Sequence, residues 1–226
     1  MTFFVSQRRL FLLQGLLLGL TLCNGGCVSP KIRQGIHRME GELQVDGQSV
    51  GTEAIVRPGN TVATGSGGQT VLVMEEDAFL LGAGTTVSFH PKSPSVATTQ
   101  TVHVHPPDTA GFTLHAGKIL SVFGSGSRTL KVPSAVIGIR GTGIFLQVEP
   151  TQDYVCLCYG RADIRMNADP LVGESLETQH HESPRYLAPE GLIRKAPMLN
   201  HTDEELFMLE ALVNRQPPFK RAFRRY

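Results

Sequence analysis

The 226-residue sequence has no tryptophan, little charge and no hydrophobic run long enough to cross a bilayer. Charged residues make up 18% of the chain and hydrophobic residues 41%, a balance that argues against wholesale disorder. The 21 Lys and Arg residues nearly cancel the 20 Asp and Glu residues, so we expect no nucleic-acid partner, which would need clustered positive charge. The longest apolar stretch, Leu10 to Leu22, has 13 residues, whereas a membrane helix needs about 20.

The sequence also lacks the short motifs that usually mark an active site. It has no nucleophile elbow, no His-Glu-x-x-His pair and no glycine loop leading into a helix. The glycines at 65, 67 and 68 fall between strand-like segments, where they fit a hairpin turn. We therefore expect a non-enzymatic protein without a catalytic cofactor.

Residues 1–27 have the features of an export signal. Arg8 and Arg9 precede the short apolar run, and positive charge followed by a short hydrophobic core is typical of a signal peptide. The arginine pair also resembles a twin-arginine export motif. Cys27 follows Asn-Gly-Gly, which makes it a better candidate for lipid attachment than Cys23, while simple cleavage without a lipid is an equal alternative. We expect a periplasmic protein, either free or anchored to the membrane as a lipoprotein through Cys27.

Residues 41–169 are predicted to form an all-β domain, with a linker before it at 28–40. Strand-sized segments are separated by turn residues at intervals of about eight to twelve, and no apolar stripe of helical period appears among them. Asp-Gly at 46–47 is a strong hairpin signal, and the Pro-, Ser-, Thr- and His-rich stretch 92–108 predicts a longer surface loop. Short segments without a βαβ pattern favour an antiparallel, hairpin-rich sandwich or a short β-solenoid.

Residues 170–226 are predicted to form a C-terminal extension with a helix at 203–215. Thr202, with Glu205 three residues later, makes a capping box, and leucines then recur at helical spacing. We expect this helix to pack on the β domain. The last ten residues mix basic and aromatic side chains and predict a tail that is either solvated or in contact with an anionic surface.

Three stretches of the β domain form an ordered set that is more specific than any one of them. They are the turn 56–65, the segment 117–120 and the stretch 136–145, in which Arg-Gly-Thr lies inside a β run. This set resembles the FecR domain family over about residues 41–166. The resemblance implies a periplasmic, non-enzymatic β domain that binds or signals in the cell envelope. Family regulators that act as anti-sigma proteins place a cytoplasmic module before a membrane helix, and only nine residues precede the apolar run here. We therefore expect the domain to carry over, but not the sigma-factor role.

The Arg-Gly-Thr triplet and the glycine after it are Arg140, Gly141, Thr142 and Gly143. Glycine on both sides of Thr142 permits a β-bulge or a close approach of another backbone. Arg140 would then pair with an acidic residue on a neighbouring strand, for which the acidic corner at 75–77 is the candidate. The alternative is that Arg140 binds an anionic group.

Cys156 and Cys158, separated by one residue, are the sharpest candidates for chemistry. In a strand, residues two apart face the same side, and such parallel side chains do not converge for a disulfide. The two thiols can instead hold a soft metal ion, pair with other cysteines or be buried in the core. His180, His181 and His201 are the candidate co-ligands, because thiolate and imidazole together suit Zn²⁺ or Cu(I).

Four other histidines have a simpler interpretation. His90, His103, His105 and His115 alternate with apolar or proline residues, so we expect them on the solvent face of strands or in the loop. His103 and His105 share a face and are a further candidate pair for metal binding.

Three functions therefore stay open. The first is a FecR-like binding or signalling module that contacts an envelope protein or ligand. The second is a metal-binding envelope protein that uses the Cys-x-Cys pair with histidines. The third is a structural envelope adaptor, which would bind a protein partner but no small ligand.

Overall fold

The computed structural model of the chain describes residues 31–91 and 110–220. The proposed export residues Arg8 and Arg9, the proposed lipidation site Cys27, and His103 and His105 lie outside the described residues. The same holds for the loop expected at 92–108 and for the end of the basic tail, and these predictions stay predictions. No helix among the described residues is long and apolar enough to span a membrane.

The described chain consists of fourteen strands and one helix. In chain order they are β1 Gly35–Glu40, β2 Leu43–Val45, β3 Gln48–Ser49, β4 Thr61–Thr64, β5 Gln69–Met74, β6 Asp77–Leu81, β7 Thr86–His90, β8 Gly111–Val122, β9 Ser127–Val132, β10 Ala135–Val148, β11 Asp153–Met166, β12 Gly173–Thr178, β13 Arg185–Ala188, β14 Leu192–Lys195 and α1 Asp203–Leu212.

All fourteen strands belong to one open sheet. Its longest path runs β14-β13-β11-β10-β9-β8-β7-β4-β2-β3, while β5 and β1 join it through β6 on β8, and β12 joins it on β11. Among the described strands, neighbours pair antiparallel except for β8 and β9, which are parallel. The predicted all-β class with a C-terminal helix is confirmed.

Two hydrophobic clusters lie on opposite faces of the central strands. In β5, for example, Leu72 belongs to the first cluster, whereas its neighbours Val71 and Val73 belong to the second. This alternation follows from the two-residue period of a strand. Helix α1 adds Leu206 and Leu209 to the second cluster, so it covers the sheet face that also carries the cysteine pair.

Three glycines lie inside long strands, although the sequence predicts short strand segments separated by turn residues such as glycine. Gly117, Gly141 and Gly160 have φ angles of +79°, +56° and +97° and lie within β8, β10 and β11. At residues 140–144 the β10–β11 register shifts twice, which is the bulge expected from the Arg-Gly-Thr triplet. The positive φ of glycine bends each strand without ending it, because the pairing resumes on the far side.

Regular structure extends beyond the predicted domain at both ends. The segment 28–40, interpreted from the sequence as a linker, contains β1, which pairs with β5. The extension that begins at residue 170 contains β12, β13 and β14, all part of the same sheet. The helix starts at residue 203 as predicted but ends at Leu212 instead of 215. Residues 170–195 are therefore structurally part of the sheet domain.

Candidate metal centre

The cysteine pair lies where helix α1 covers the sheet. Cys156 and Cys158 are both free thiols with no exposed surface, and both belong to the second hydrophobic cluster. Their shared face follows from their spacing in β11, as the sequence predicted. Leu157 between them faces the other cluster. The two sulfur atoms thus lie on the face of β11 that helix α1 covers.

Two histidines from different segments complete the cluster. His181 comes from the connection between β12 and β13, and His201 lies two residues before α1. The ligand atoms of Cys156, Cys158, His181 and His201 all lie within 4.8 Å of one another. Of the five predicted ligands, the structure therefore brings four together.

Three of the six distances among these four atoms are close to those of a tetrahedral metal site. Cys156 Sγ lies 3.3 Å from His181 Nδ1, Cys158 Sγ lies 3.5 Å from His201 Nε2, and the two nitrogens are 3.2 Å apart. Around a tetrahedral Zn²⁺ with ordinary Zn–S and Zn–N bonds, neighbouring ligand atoms are separated by about 3.3 to 3.8 Å. These three distances, with all four atoms within 4.8 Å of one another, fit four-coordinate binding.

Hydrogen bonds on the outer side of each ring direct a free nitrogen inward. His201 Nδ1 donates to the carbonyl oxygen of Leu199 at 2.7 Å, and His181 Nε2 donates to Asp203 Oδ1 at 3.1 Å. In the neutral rings, these bonds leave His201 Nε2 and His181 Nδ1 unprotonated. Metal-binding histidines usually have such an outer partner, which fixes the tautomer and the ring orientation.

The ring of His201 is also held by packing. Phe145 stacks on it with ring centroids 4.5 Å apart and an interplanar angle of 9°. The backbone N–H of Phe145 additionally acts to lower the pKa of the Cys158 thiol against the effect of burial, which favours the thiolate. One residue of β10 therefore supports two of the four candidate ligands.

The electrostatics of the cluster favour a thiolate at Cys156. The hydrogen bond from the Cys158 thiol lowers the pKa of Cys156, and the neighbouring His181 and His201 rings lower it further against the effect of burial. Burial raises the pKa of Cys158, and the neighbouring Cys156 raises it again. Burial alone would lower the pKa of His181, but Cys156 and Asp203 raise it above the ordinary value. The pocket thus already stabilises the negative charge that a metal ligand must carry.

His180, the fifth predicted ligand, has a different role. Its Nε2 lies 2.9 Å from both carboxylate oxygens of Asp203, and its ring stacks on Phe219 at 4.2 Å. Its place in the structure is therefore beside Asp203 and outside the group of four. Asp203 itself was missed in the sequence, because an aspartate in the first turn of a helix is already explained by the helix dipole.

Two residues at the site have an uncommon backbone conformation. His181 has a φ of +57° and Asn200, next to His201, has a φ of +61°. Left-handed backbone is unusual for residues other than glycine and is maintained only where surrounding contacts enforce it. His181 donates its backbone N–H to the carbonyl oxygen of Cys158 at 3.0 Å, so the strand that carries the thiols also fixes this turn.

The expected ion pair of Arg140 with the acidic corner at 75–77 is not present. Asp77 instead binds the buried Arg128, with Arg128 Nε 3.1 Å from Asp77 Oδ2, and Arg140 is exposed. The pairing fails because Arg128, on β9, has its guanidinium beside Asp77. The bulge at Gly141 and Thr142 shifts the register between β10 and β11.

Two of the four histidines predicted to lie on the solvent face of strands or in the loop are described, one on β7 and one on β8. His90 Nε2 is 2.8 Å from Thr113 Oγ1, and His115 Nε2 is 2.9 Å from Ser88 Oγ. Both pairs are cross-strand contacts between polar side chains of the sheet. Neither histidine belongs to a metal-ligand cluster among the described residues.

Comparison with known proteins gives a weak likeness. No family model and no curated protein matches the sequence. Two crystal structures of a "putative anti-sigma factor" from Parabacteroides distasonis, at 2.50 and 1.65 Å resolution, are similar to this chain with 12% and 13% identity and TM-scores of 0.45 and 0.46. Each match covers 60% of this chain and 58% of the other, so the chain spans little more than half the length of the structures that it matches. At this level the likeness establishes neither family nor function, and the FecR resemblance stays a prediction.

Proposed function

We propose that this protein is a non-enzymatic metal-binding β module, in which Zn²⁺ is held by Cys156, Cys158, His181 and His201. The observation that carries the proposal is the spacing of four buried ligand atoms within 4.8 Å of one another. Two thiolates and two imidazoles in a tetrahedral arrangement suit Zn²⁺. Cu(I), which also favours thiolate ligands, is the competing metal.

A structural role fits this site better than a catalytic one. All four ligand residues are buried, and none of them has more than 8% of its surface exposed to solvent. A catalytic zinc site keeps one position open for water or substrate, whereas a structural site is closed by four protein ligands. The ligands come from β11, from the connection before β13 and from the residues before α1, so the ion would fasten the C-terminal helix to the sheet.

The cell envelope is the proposed location, on the evidence of the N-terminal sequence. The arginine pair and the short apolar run favour export, and Cys27 offers attachment to the membrane. An oxidising compartment tends to oxidise free thiol pairs, and a bound metal ion would protect Cys156 and Cys158 from that reaction. A second candidate, the envelope binding or signalling module that the FecR resemblance implies, is favoured by the position of the Arg-Gly-Thr bulge beside an open cleft.

The first test is elemental analysis of protein purified without chelator. We expect close to one Zn²⁺ per chain, retained through gel filtration, because the ligands are pre-arranged and buried. The chain provides its own control in its other two cysteines. In the unprocessed chain, which still contains residues 1–27, replacing Cys23 and Cys27 by serine should leave the zinc content unchanged, whereas replacing Cys156 and Cys158 should abolish it. A loss of zinc in the Cys23 and Cys27 variant would contradict the proposal. One equivalent of copper in place of zinc would contradict it too.

A further inference from the structure

An open cleft lies beside the bulge of β10, next to the loop that carries the proposed metal ligand His181. It has a volume of about 840 Å³, within the range of small-molecule sites. Its walls come from the turn before β9, the middle of β10 and β11, and the end of β12; they include Ser125, Arg140, Gly141, Gly160, Arg161 and Gln179.

The cleft contains two arginines directly opposite each other. Arg140 of β10 and Arg161 of β11 are partners in the strand register, and both line the cleft. Like charges opposite each other on neighbouring strands destabilise a sheet. Arg161 pairs with Glu177, whereas no side-chain hydrogen bond or ion pair joins Arg140 to another described residue, so the charge of Arg140 is the one without a described counter-charge.

The two acidic residues of the cleft already have partners, and neither of them pairs with Arg140. Glu177 binds Arg161 Nη2 at 3.0 Å. The Glu182 carboxylate accepts the backbone N–H groups of Gln179 and His180 at 2.7 and 3.0 Å, and these bonds lower the pKa of Glu182. Arg140 is thus left as a positive charge that faces the open space.

The centre of the cleft is lined by glycines with their backbone in the left-handed region. Gly141 and Gly160, with φ angles of +56° and +97°, leave the cleft without side chains at this point. A side chain at Gly160 would collide with Thr142, 2.6 Å away, whereas at Gly141 nothing lies within 4 Å. The space above Gly141 is therefore open, and a ligand can approach the backbone there.

We propose that this cleft binds the anionic oxygen group of a small ligand, a carboxylate or a phosphate, through Arg140 with Arg161 beside it. The planar guanidinium group matches the geometry of both anions and can bind either in a bidentate manner. An anion at this place would also supply the counter-charge that the side chain of Arg140 lacks among the described residues. The site is separate from the metal centre, so its existence does not depend on metal binding.

The test is a chemical-shift titration with inorganic phosphate and, separately, with tricarballylate as the carboxylate probe, at constant ionic strength. We expect saturable shifts of the backbone amides of Gly141, Gly160 and Gln179 with at least one probe, and the probe that binds identifies the class of anion. Arg140→Gln should weaken binding at least about fivefold, since it removes the charge that binds the anion. Arg194→Gln, at an exposed arginine on β14, is the matched control and should bind as the parent does.

A stability measurement separates binding from a structural role. Arg140→Gln removes a positive charge opposite Arg161 and no described side-chain hydrogen bond, so the variant should keep or raise Tm. A lower Tm would indicate that Arg140 is structural and would overturn the proposal. It would also be overturned by the absence of saturation with both probes, or by equal losses in the Arg140 and Arg194 variants.

Discussion

Adding Zn²⁺ to the reduced, metal-free protein should raise its Tm by about 10 °C. A ligand that binds only the folded state stabilises it by about 4 kcal/mol when its free concentration is a thousand times Kd. For a chain of this length, each kcal/mol corresponds to a Tm change of roughly 2–4 °C. The helix that the ion would fasten has ten residues, too few to be stable in isolation, so its docking should respond strongly to metal.

Calorimetry with and without chelator measures this effect. The Cys156→Ser, Cys158→Ser double variant is the control and should show the same low Tm in both conditions. A Zn²⁺-induced rise below about 2 °C would contradict a structural zinc site, and so would an equal rise in the double variant, which would indicate zinc binding elsewhere on the chain.

The second large effect is a graded loss of zinc affinity across three substitutions. Cys158→Ser removes a thiolate ligand and should weaken binding at least about a thousandfold, given the large free energy of zinc–ligand bonds. Asp203→Asn leaves all four ligands in place but weakens the outer bond to His181, so a loss of about tenfold to a hundredfold is expected. His115→Asn, at an exposed histidine on β8 that contacts Ser88, should bind zinc normally.

Competition with a chromophoric chelator gives all three affinities under identical conditions. Circular dichroism establishes that each variant is folded, which matters because Asp203 is buried. The order of the losses is the informative result. Equal affinity for Cys158→Ser and the parent would exclude that thiol as a ligand, and a loss in His115→Asn would reveal a nonspecific effect.

The cysteine half of the site could be predicted from sequence, because strand geometry alone decides it. Residues 156 and 158 must face the same side of any strand that contains both. The histidine half depends on the tertiary structure. His180 and His181 are adjacent in sequence, yet only His181 reaches the thiols, since its left-handed backbone is fixed by a hydrogen bond to β11. No local pattern distinguishes the two.

The helix gives a contrasting case. Thr202 and Glu205 form the predicted capping box, because capping depends on local chemistry that the sequence displays. The end of the helix was placed three residues too late. Asn214, with a φ of +57°, ends it in a Schellman arrangement in which Arg215 donates its backbone N–H to Glu210. Asparagine at such a position is a stop signal, so this boundary was available from the sequence.

The strands were harder to place where glycine interrupted them. Each glycine at 117, 141 and 160 fits a turn equally well by local criteria, and only the pairing partners on both sides show that the strand continues. The short strands β12, β13 and β14 lie in a polar stretch. They are held by pairing to β11 and to one another, a long-range contribution that a local pattern does not contain.

X-ray absorption at the zinc edge of the loaded protein tests the central claim most directly. We predict a four-coordinate ion with two sulfur ligands at about 2.3 Å and two nitrogen ligands at about 2.0 to 2.1 Å, supplied by Cys156, Cys158, His181 and His201. A shell of oxygen and nitrogen alone, or six-coordinate zinc, would contradict the site.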